Sequence, residues 1–489
     1  MIEEICIVGS GTAGSVAALM YRSAFPSTKI TVISSSEIGI IGVGEGSTEH
    51  WRMFMRACDL PTAEILVETA GTHKTGIRFI NWTNHTPDYF HSVTTVDPMN
   101  PFGIYALYCG IHAKDKLLTN SLAVRGIVEG KVVVNNPHET VNQFHFDTFK
   151  LNEYLRKKCI QRNIKLVEGI VKTVNLNNEN GFISSVSLED GSVYPADFFI
   201  DATGFKRVLM TEMGNTLWKS FRKHLPMDSA IAFPSQLPED KVINTYTLAT
   251  AKSSGWMWEI PTQERRGNGY VYCSDFISDE EARQEASRHV GFEVEPVRSF
   301  KFDAGCLSKF WHKNALALGL AGAFVEPLEA TSIGSTFQLI NGSIKYLATF
   351  NGDVRFENDF NKRASKMMEN LEAMIALHYV SDRTDTDFWN YTQSLERPPY
   401  LQEMLDNWEV MLPSENEIPG YGLEMFLAAH FWHVAQGQGV LPKNLAQQIL
   451  EITGLEYRVN NKMWETRQHQ NAVPLQDHLK SLLMLKEQL

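Results

Sequence analysis

The sequence predicts an α/β protein with two lobes and a helical C-terminal region, and three observations predict it. The chain opens on a short apolar strand, a GxGxxG turn and the start of a helix. Residues 255–261 read GWMWEIP, with large apolar side chains at period two, and a second apolar run, GYVYC at 269–273, follows a polar loop rich in Arg and Gly. From about 351 the apolar positions recur at helical spacing, broken at RPPY (397–400) and EIPGYG (417–422). Period two marks strands and period 3.6 marks helices.

The bulk composition sets outer limits. A chain of 489 residues is long enough for two or three coupled lobes. Its hydrophobic share of 43% and charged share of 21% are those of an ordinary globular protein. The net charge is −12 and no Lys/Arg run is long enough to track phosphates, which argues against a nucleic-acid partner. No apolar stretch approaches the ~20 residues a membrane helix needs. The chain starts MIEE and enters a strand at once, without a secretory leader, so no membrane association and a cytoplasmic location are expected. Cys6, Cys58, Cys109, Cys159, Cys273 and Cys306 lack CxxC spacing and fit free thiols in a reducing compartment. No zinc pattern is present, so no metal is expected. His145, His430 and His433 read as packing or surface residues.

In the opening EEICIVGSGTAGSVAALMYRS, Ile5 to Val8 is the strand and Ala13 to Tyr21 suits the helix. Gly9 permits the tight turn, Gly11 lets backbone approach a pyrophosphate, and Gly14 lets helix and strand pack closely. Thr12 and Ala13 begin the helix, whose free N–H groups would face the diphosphate. This context predicts a dinucleotide site. The acidic residue that ordinarily holds the ribose, about twenty positions on, is replaced here by Ser34 in KITVISSSE, with Glu37 three residues later. Ribose binding is left to Ser34, Glu37 or backbone.

Two later segments favour a flavin over a nicotinamide. FFIDATG (198–204) is an apolar strand that resembles the Ala-Thr-Gly strand end of glutathione-reductase-type flavoproteins, which marks Thr203 and Gly204 as cofactor contacts. NALALGLAGAFVEPLEATSIGS (314–335) resembles the second flavin-contacting segment of that class. No second GxGxxG follows, so electrons are expected from a separate NAD(P)H-dependent flavin reductase or from exchanging reduced flavin.

Trp256, Trp258 and Ile260 share one face of a strand and are expected to form one flat apolar wall, ended by Pro261. Alone, such a row usually only covers a sheet. Several further blocks change that reading. GVGEGS (42–47), HKTGIRFINW (73–82), FHFDTFKLNEYL (144–155), SGWMWEIP (254–261), GNGYVYCS (267–274), FVEPLEATS (324–332) and SDRTDTDFW (381–389) occur in order along the chain. With the opening GSGTAG they resemble the flavin-dependent halogenases of the tryptophan-halogenase-like family over nearly the whole length, the WxWxIP and GxGxxG pair being the most specific. The divergent surface resembles that of a marine or cyanophage branch.

The resemblance implies a chemistry. Reduced flavin (FADH2), O2 and a halide would yield hypohalous acid, which would halogenate an electron-rich aromatic substrate. Gly42, Val43, Gly44 and Glu45, in the family's GVGEAT-like block, would contact FAD. The indole wall would keep the organic substrate from the flavin, since the oxidant formed there could oxygenate any organic molecule that reached it. Lys74, which composition alone would make a solvated surface lysine, would sit in a partly desolvated pocket. It would hydrogen-bond hypohalous acid or, as a neutral amine, form a haloamine. Glu329 would orient the halogen donor and accept the arene's proton. Glu326 fits a role that only complements a helix dipole. The backbone amides of Thr331 and Ser332 would bind halide, with Ser332 replacing the family's usual glycine, where a Cβ limits positive φ. That change alters the halide geometry, and bromide and iodide are easier to oxidise than chloride, so a preference for chloride is left open. The tyrosine pair and carboxylate that hold free tryptophan in tryptophan-specific members have no clear counterpart in YGLEMFLAAHFWHVAQGQGVLP (421–442), so an indole, a phenol or a similar arene is expected. Phe426, Phe431 and Trp432 would line an aromatic pocket or pack a core.

The predicted organisation is α/β: a glutathione-reductase-type, Rossmann-like FAD-binding lobe from 1–80, 140–205 and 305–350, a mixed β substrate lobe from 81–139 and 206–304, and a helical region over 351–489. A homo-oligomer is compatible with this pattern. The alternatives to a halogenase are a flavin-dependent aromatic monooxygenase and a non-catalytic flavin-binding protein.

Overall fold

The computed structural model describes residues 2–36, 44–92, 131–133, 143–237, 243–411, 417–418, 422–441 and 472–474, with isolated positions between 444 and 484. The predicted Glu37, Gly42, Val43 and Cys109 lie outside the described residues. The apolar opening forms the strand Glu4–Val8, which pairs in parallel with Lys29–Ser34 on one side and Phe198–Asp201 on the other. Lys165–Glu168 extends the sheet beyond Lys29–Ser34, and Ala315–Ala317 extends it beyond Phe198–Asp201. A short antiparallel strand, Trp311–His312, closes the edge and makes six in all.

Both faces of this sheet are covered, which is why its strands are apolar throughout rather than alternating. Ile5 and Ile7 pack into the main core with Val16 and Leu19 of the helix Thr12–Ala24. Cys6 and Val8 point the other way, onto a second core with Ile33, Phe199 and Val186. Val186 belongs to an antiparallel meander, Val171–Leu176, Ile183–Leu188 and Val193–Pro195.

A second sheet of seven strands carries the tryptophan run. Its order is Arg298–Lys301, Ser229–Ser235, Arg266–Tyr272, Gly255–Pro261, Thr247–Ala251, Gly76–Ile80 and Asp88–Ser92. Every pairing is antiparallel except Gly76–Ile80 with Thr247–Ala251. The sequence thus delivers Gly76–Ile80, just after Lys74, into this sheet. A small sheet of Glu45–Gly46, Gln143–Phe146 and Thr72–Lys74 bridges the two.

The helical region begins with Val354–Leu377, whose first turn is capped by Asp353 accepting from the Arg355 amide. It packs against the helices Thr331–Leu347, Pro399–Trp408 and Ala428–Gly437. Among the described residues Cys6, Cys58, Cys159, Cys273 and Cys306 are buried free thiols, and no helix is long and apolar enough to cross a membrane.

Candidate active site

Gly9 and Gly14 of the opening turn meet the demands placed on them. Gly9 has φ +107°, and a Cβ there would lie 2.2 Å from the Ala202 carbonyl oxygen. A Cβ on Gly14 would lie 1.9 Å from the Gly9 carbonyl oxygen, so strand and helix touch backbone to backbone. Gly11 faces open space and caps the helix with no side chain, leaving the first amides of Thr12 and Ala13 free to bind an anion. The cradle therefore fits the diphosphate of FAD. Gly204, at φ +66°, also opens on space. Thr203 is differently employed: its hydroxyl donates to Asp201 at 2.6 Å and accepts from the Val208 amide at 2.9 Å. Ser34 ends its strand, and beside it Glu168 of the neighbouring strand accepts from both the amide and the hydroxyl of Ser36. Glu45 accepts from Thr12 at 3.4 Å, and burial pushes its carboxyl up to about 7.

Trp256, Trp258 and Ile260 lie on one face of their strand in the main core, while Met257 faces the helix Asp279–Val290. The wall is not flat. The two indoles are 6.1 Å apart and inclined by 55°, because each is fitted to a different neighbour. Trp256 donates to Glu326, Trp258 fills the space over Gly269, and Ile260 abuts Gly44 of the predicted flavin-contacting block. The Pro261 carbonyl accepts from Thr72, which ties the end of the wall to the strand carrying Lys74. Glu326 is itself fully buried, not a surface partner of a helix dipole. It is a hydrogen-bond anchor.

Lys74 is only 1% exposed, and its ammonium donates to the Ser47 carbonyl at 2.9 Å. Burial lowers its pKa to about 8, against the opposing pull of the Glu329 and Glu49 carboxylates. Glu329 ends the turn Pro327–Glu329, and both of its oxygens are occupied. His91 Nδ1 approaches Oε2 at 2.8 Å, and His378 Nε2 approaches Oε1 at 2.8 Å. Despite its burial, the two imidazoles hold this carboxyl well below the usual carboxylate range. His378 Nδ1 in turn pairs with the Tyr89 hydroxyl at 2.8 Å, and Gln438 donates to that hydroxyl at 3.3 Å.

Lys74, Glu329 and His91 line one cavity together with Glu49, Gln143 and His430. Thr48, Ile77 and Phe426 complete it. Gln143 donates to Glu49 at 3.2 Å, and His430 approaches Glu49 at 3.9 Å. The structure thus brings the predicted Lys74 and Glu329 together, and adds His91, Glu49, Gln143 and His430, which sequence reasoning missed or, for His430, assigned to packing or the surface. Phe426 lines the cavity, whereas Phe431 and Trp432 are core. Beyond Glu329 the left-handed backbone falls on Ala330 (φ +54°), not on Ser332, which is already helical and exposed. Ser332 therefore imposes no strain, and the uncapped amides of Thr331 and Ser332 are left at the helix start.

The cradle, the indoles and the buried lysine–carboxylate pocket occur together in one chain, as the resemblance to the flavin-dependent halogenases implies. The tryptophan halogenase family profile matches residues 4–452, and the chain belongs to that family. Among its relatives, a tryptophan 6-halogenase of Streptomyces toxytricini, SttH, is 31% identical over 86% of each chain. The solved structure of BrvH, a flavin-dependent halogenase from Brevundimonas sp. BAL3, matches with a TM-score of 0.86 at 27% identity, over 99% of each chain. Tar14, a tryptophan C-6 flavin-dependent halogenase from taromycin biosynthesis, matches with a TM-score of 0.88 at 25% identity, over 99% of this chain and 100% of the other.

Proposed function

We propose that the protein attaches a halogen to an electron-rich aromatic carbon of an indole- or phenol-like substrate. When bound, FADH2, renewed by a separate NAD(P)H-dependent flavin reductase, supplies hypohalous acid from O2 and halide. The Gly9–Gly14 turn, with Gly42 to Glu45 and Gly204, holds the dinucleotide, and Ser34, Glu37 or backbone holds its ribose. The amides of Thr331 and Ser332 hold the halide. Trp256, Trp258 and Ile260, ended by Pro261, exclude the arene from the flavin side. Lys74 hydrogen-bonds the hypohalous acid and makes its halogen more electrophilic, and the Glu329 carboxylate balances the positive charge that develops on the ring.

The single observation that carries this reading is the shared cavity of Lys74 and Glu329, an amine and a carboxylate both almost fully enclosed. A binding protein has no use for a buried amine whose pKa is depressed to about 8. Phe426, His91 and His430 place three rings around the cavity. The test is mass spectrometry of products from indoles, phenols and free tryptophan, each with chloride, bromide or iodide and an added flavin reductase. Products that carry the supplied halide are expected. Products that gain oxygen whatever the halide would replace this reading with a monooxygenase.

A further inference from the structure

We infer that His91 takes the proton released by the halogenated arene, and that Glu329 is the carboxylate that orients and charge-balances it. This rests on the function proposed above. A carboxylate only accepts, so His91 Nδ1–H donates to Glu329 at 2.8 Å, and in the neutral imidazole this leaves the lone pair on Nε2, on a ring that lines the cavity. The arrangement is that of a base whose tautomer is fixed by a buried acid.

Glu329 is poorly placed to act as the base itself. Its second oxygen is filled by His378, and the donors from Gln438 through Tyr89 and His378 all run toward the carboxylate. Both Glu329 oxygens already accept from an imidazole, which leaves the carboxylate a poorer proton acceptor than a ring nitrogen that faces the cavity. His378 is fully buried and does not line the cavity. Around His91 stand the rings of His430 at 5.3 Å, His433 at 5.6 Å and Phe426 at 6.4 Å. The charged groups facing it are Glu329 and Glu49, with Lys74 sharing the cavity.

The step balances. The arenium C–H bond breaks, its electron pair restores the aromatic ring, and the proton forms an N–H bond at His91 Nε2. Overall, arene and hypohalous acid give halogenated arene and water.

The test compares indole and phenol with their ring-deuterated forms, using bromide, FAD and an added reductase, in wild type, His91→Gln and His91→Ala. Gln keeps an N–H for Glu329 but cannot take the proton. Both variants are expected to bind FAD normally and to lose about 100-fold or more in turnover. They should also show a primary deuterium isotope effect absent from wild type, and imidazole should rescue His91→Ala. A residue that only stacks against the substrate would raise KM without exposing an isotope effect, and that result, or wild-type turnover in His91→Gln, overturns the inference. A wild-type enzyme that brominates neither probe overturns the proposed function and this inference with it.

Discussion

Trp256 donates its indole N–H to Glu326 Oε2 across 2.8 Å, and Tyr379 donates its hydroxyl to the same oxygen across 2.6 Å. One buried carboxyl thereby fastens the first indole of the wall to the segment after the helix Val354–Leu377. Because Glu326 lies three residues before Glu329, the wall and the pocket hang on one short stretch of backbone. Trp82 packs beside the junction, 6.3 Å from Trp256 and 5.7 Å from Tyr379.

Replacing Glu326 by leucine strands two buried donors. Each unsatisfied donor costs about 1–3 kcal/mol, part of which is offset by removing a desolvated carboxyl. A net loss on the order of 2–4 kcal/mol is expected, measured by chemical denaturation of the FAD-bound protein. Unchanged stability would mean that Trp256 and Tyr379 have other partners.

Glu326 also makes stability depend on pH. Burial raises its carboxyl from 4.5 to about 7, so the folded state binds a proton that the unfolded chain has already released. The stabilisation is complete below 4.5 and is lost as pH rises to about 7, a change of roughly 3 kcal/mol by linkage. Glu326→Gln keeps an acceptor oxygen but cannot titrate. The difference in denaturation midpoint between the two proteins should therefore drift across this window and level off above it. A constant difference from pH 4.5 to 8 would show that Glu326 does not titrate there.

Lys74 predicts the alkaline limb of activity. With one N–H given to Ser47, its remaining N–H bonds serve the cavity, so the ammonium is the working form and halogenation should fall as pH passes about 8. Glu329 holds Lys74 up by its charge, so in Glu329→Gln the residual activity should bend at lower pH. A rate that rises through the same pH would assign the work to the neutral amine by way of a haloamine. Lys74→Ala should abolish halogenation and leave FAD binding and oxidant formation intact, read by trapping the oxidant.

What the sequence made legible was local or periodic. Gly9, Gly11 and Gly14 act within a single turn, and the shared face of Trp256, Trp258 and Ile260 follows from strand geometry alone. Lys74 and Glu329 were legible only through their resemblance to a family. The hydrogen bonds around them were not, because they join distant positions. His91 and Glu329 are 238 residues apart, Tyr89 and His378 289, and Gln438 and Tyr89 349. No short-range pattern encodes such contacts. Glu326 misled for the same reason: beside a helix start it resembles a dipole partner, and only the approach of Trp256 and Tyr379 reveals it as an anchor. The wall's tilt escaped notice because strand period fixes which face a side chain takes, not the angle of its ring.

That tilt gives the most direct test of the wall. Gly269 lies opposite Trp258 in the sheet, and a Cβ there would come within 2.0 Å of the indole. Gly269→Ala must push the ring aside, with overpacking that costs about 1–3 kcal/mol. The Gly9–Gly14 turn belongs to a different sheet, so FAD binding should be unchanged. The displaced ring should open the barrier, so that less halogenated product forms per reduced flavin and more oxidant escapes or oxygenates the arene. Tyr270→Phe is the control. Tyr270 faces the opposite core and gives its hydroxyl to Glu285 at 2.8 Å, so its loss weakens the same strand and leaves the indoles in place. Coupling should fall in Gly269→Ala and hold in Tyr270→Phe; equal coupling in both would remove Trp258 from the barrier.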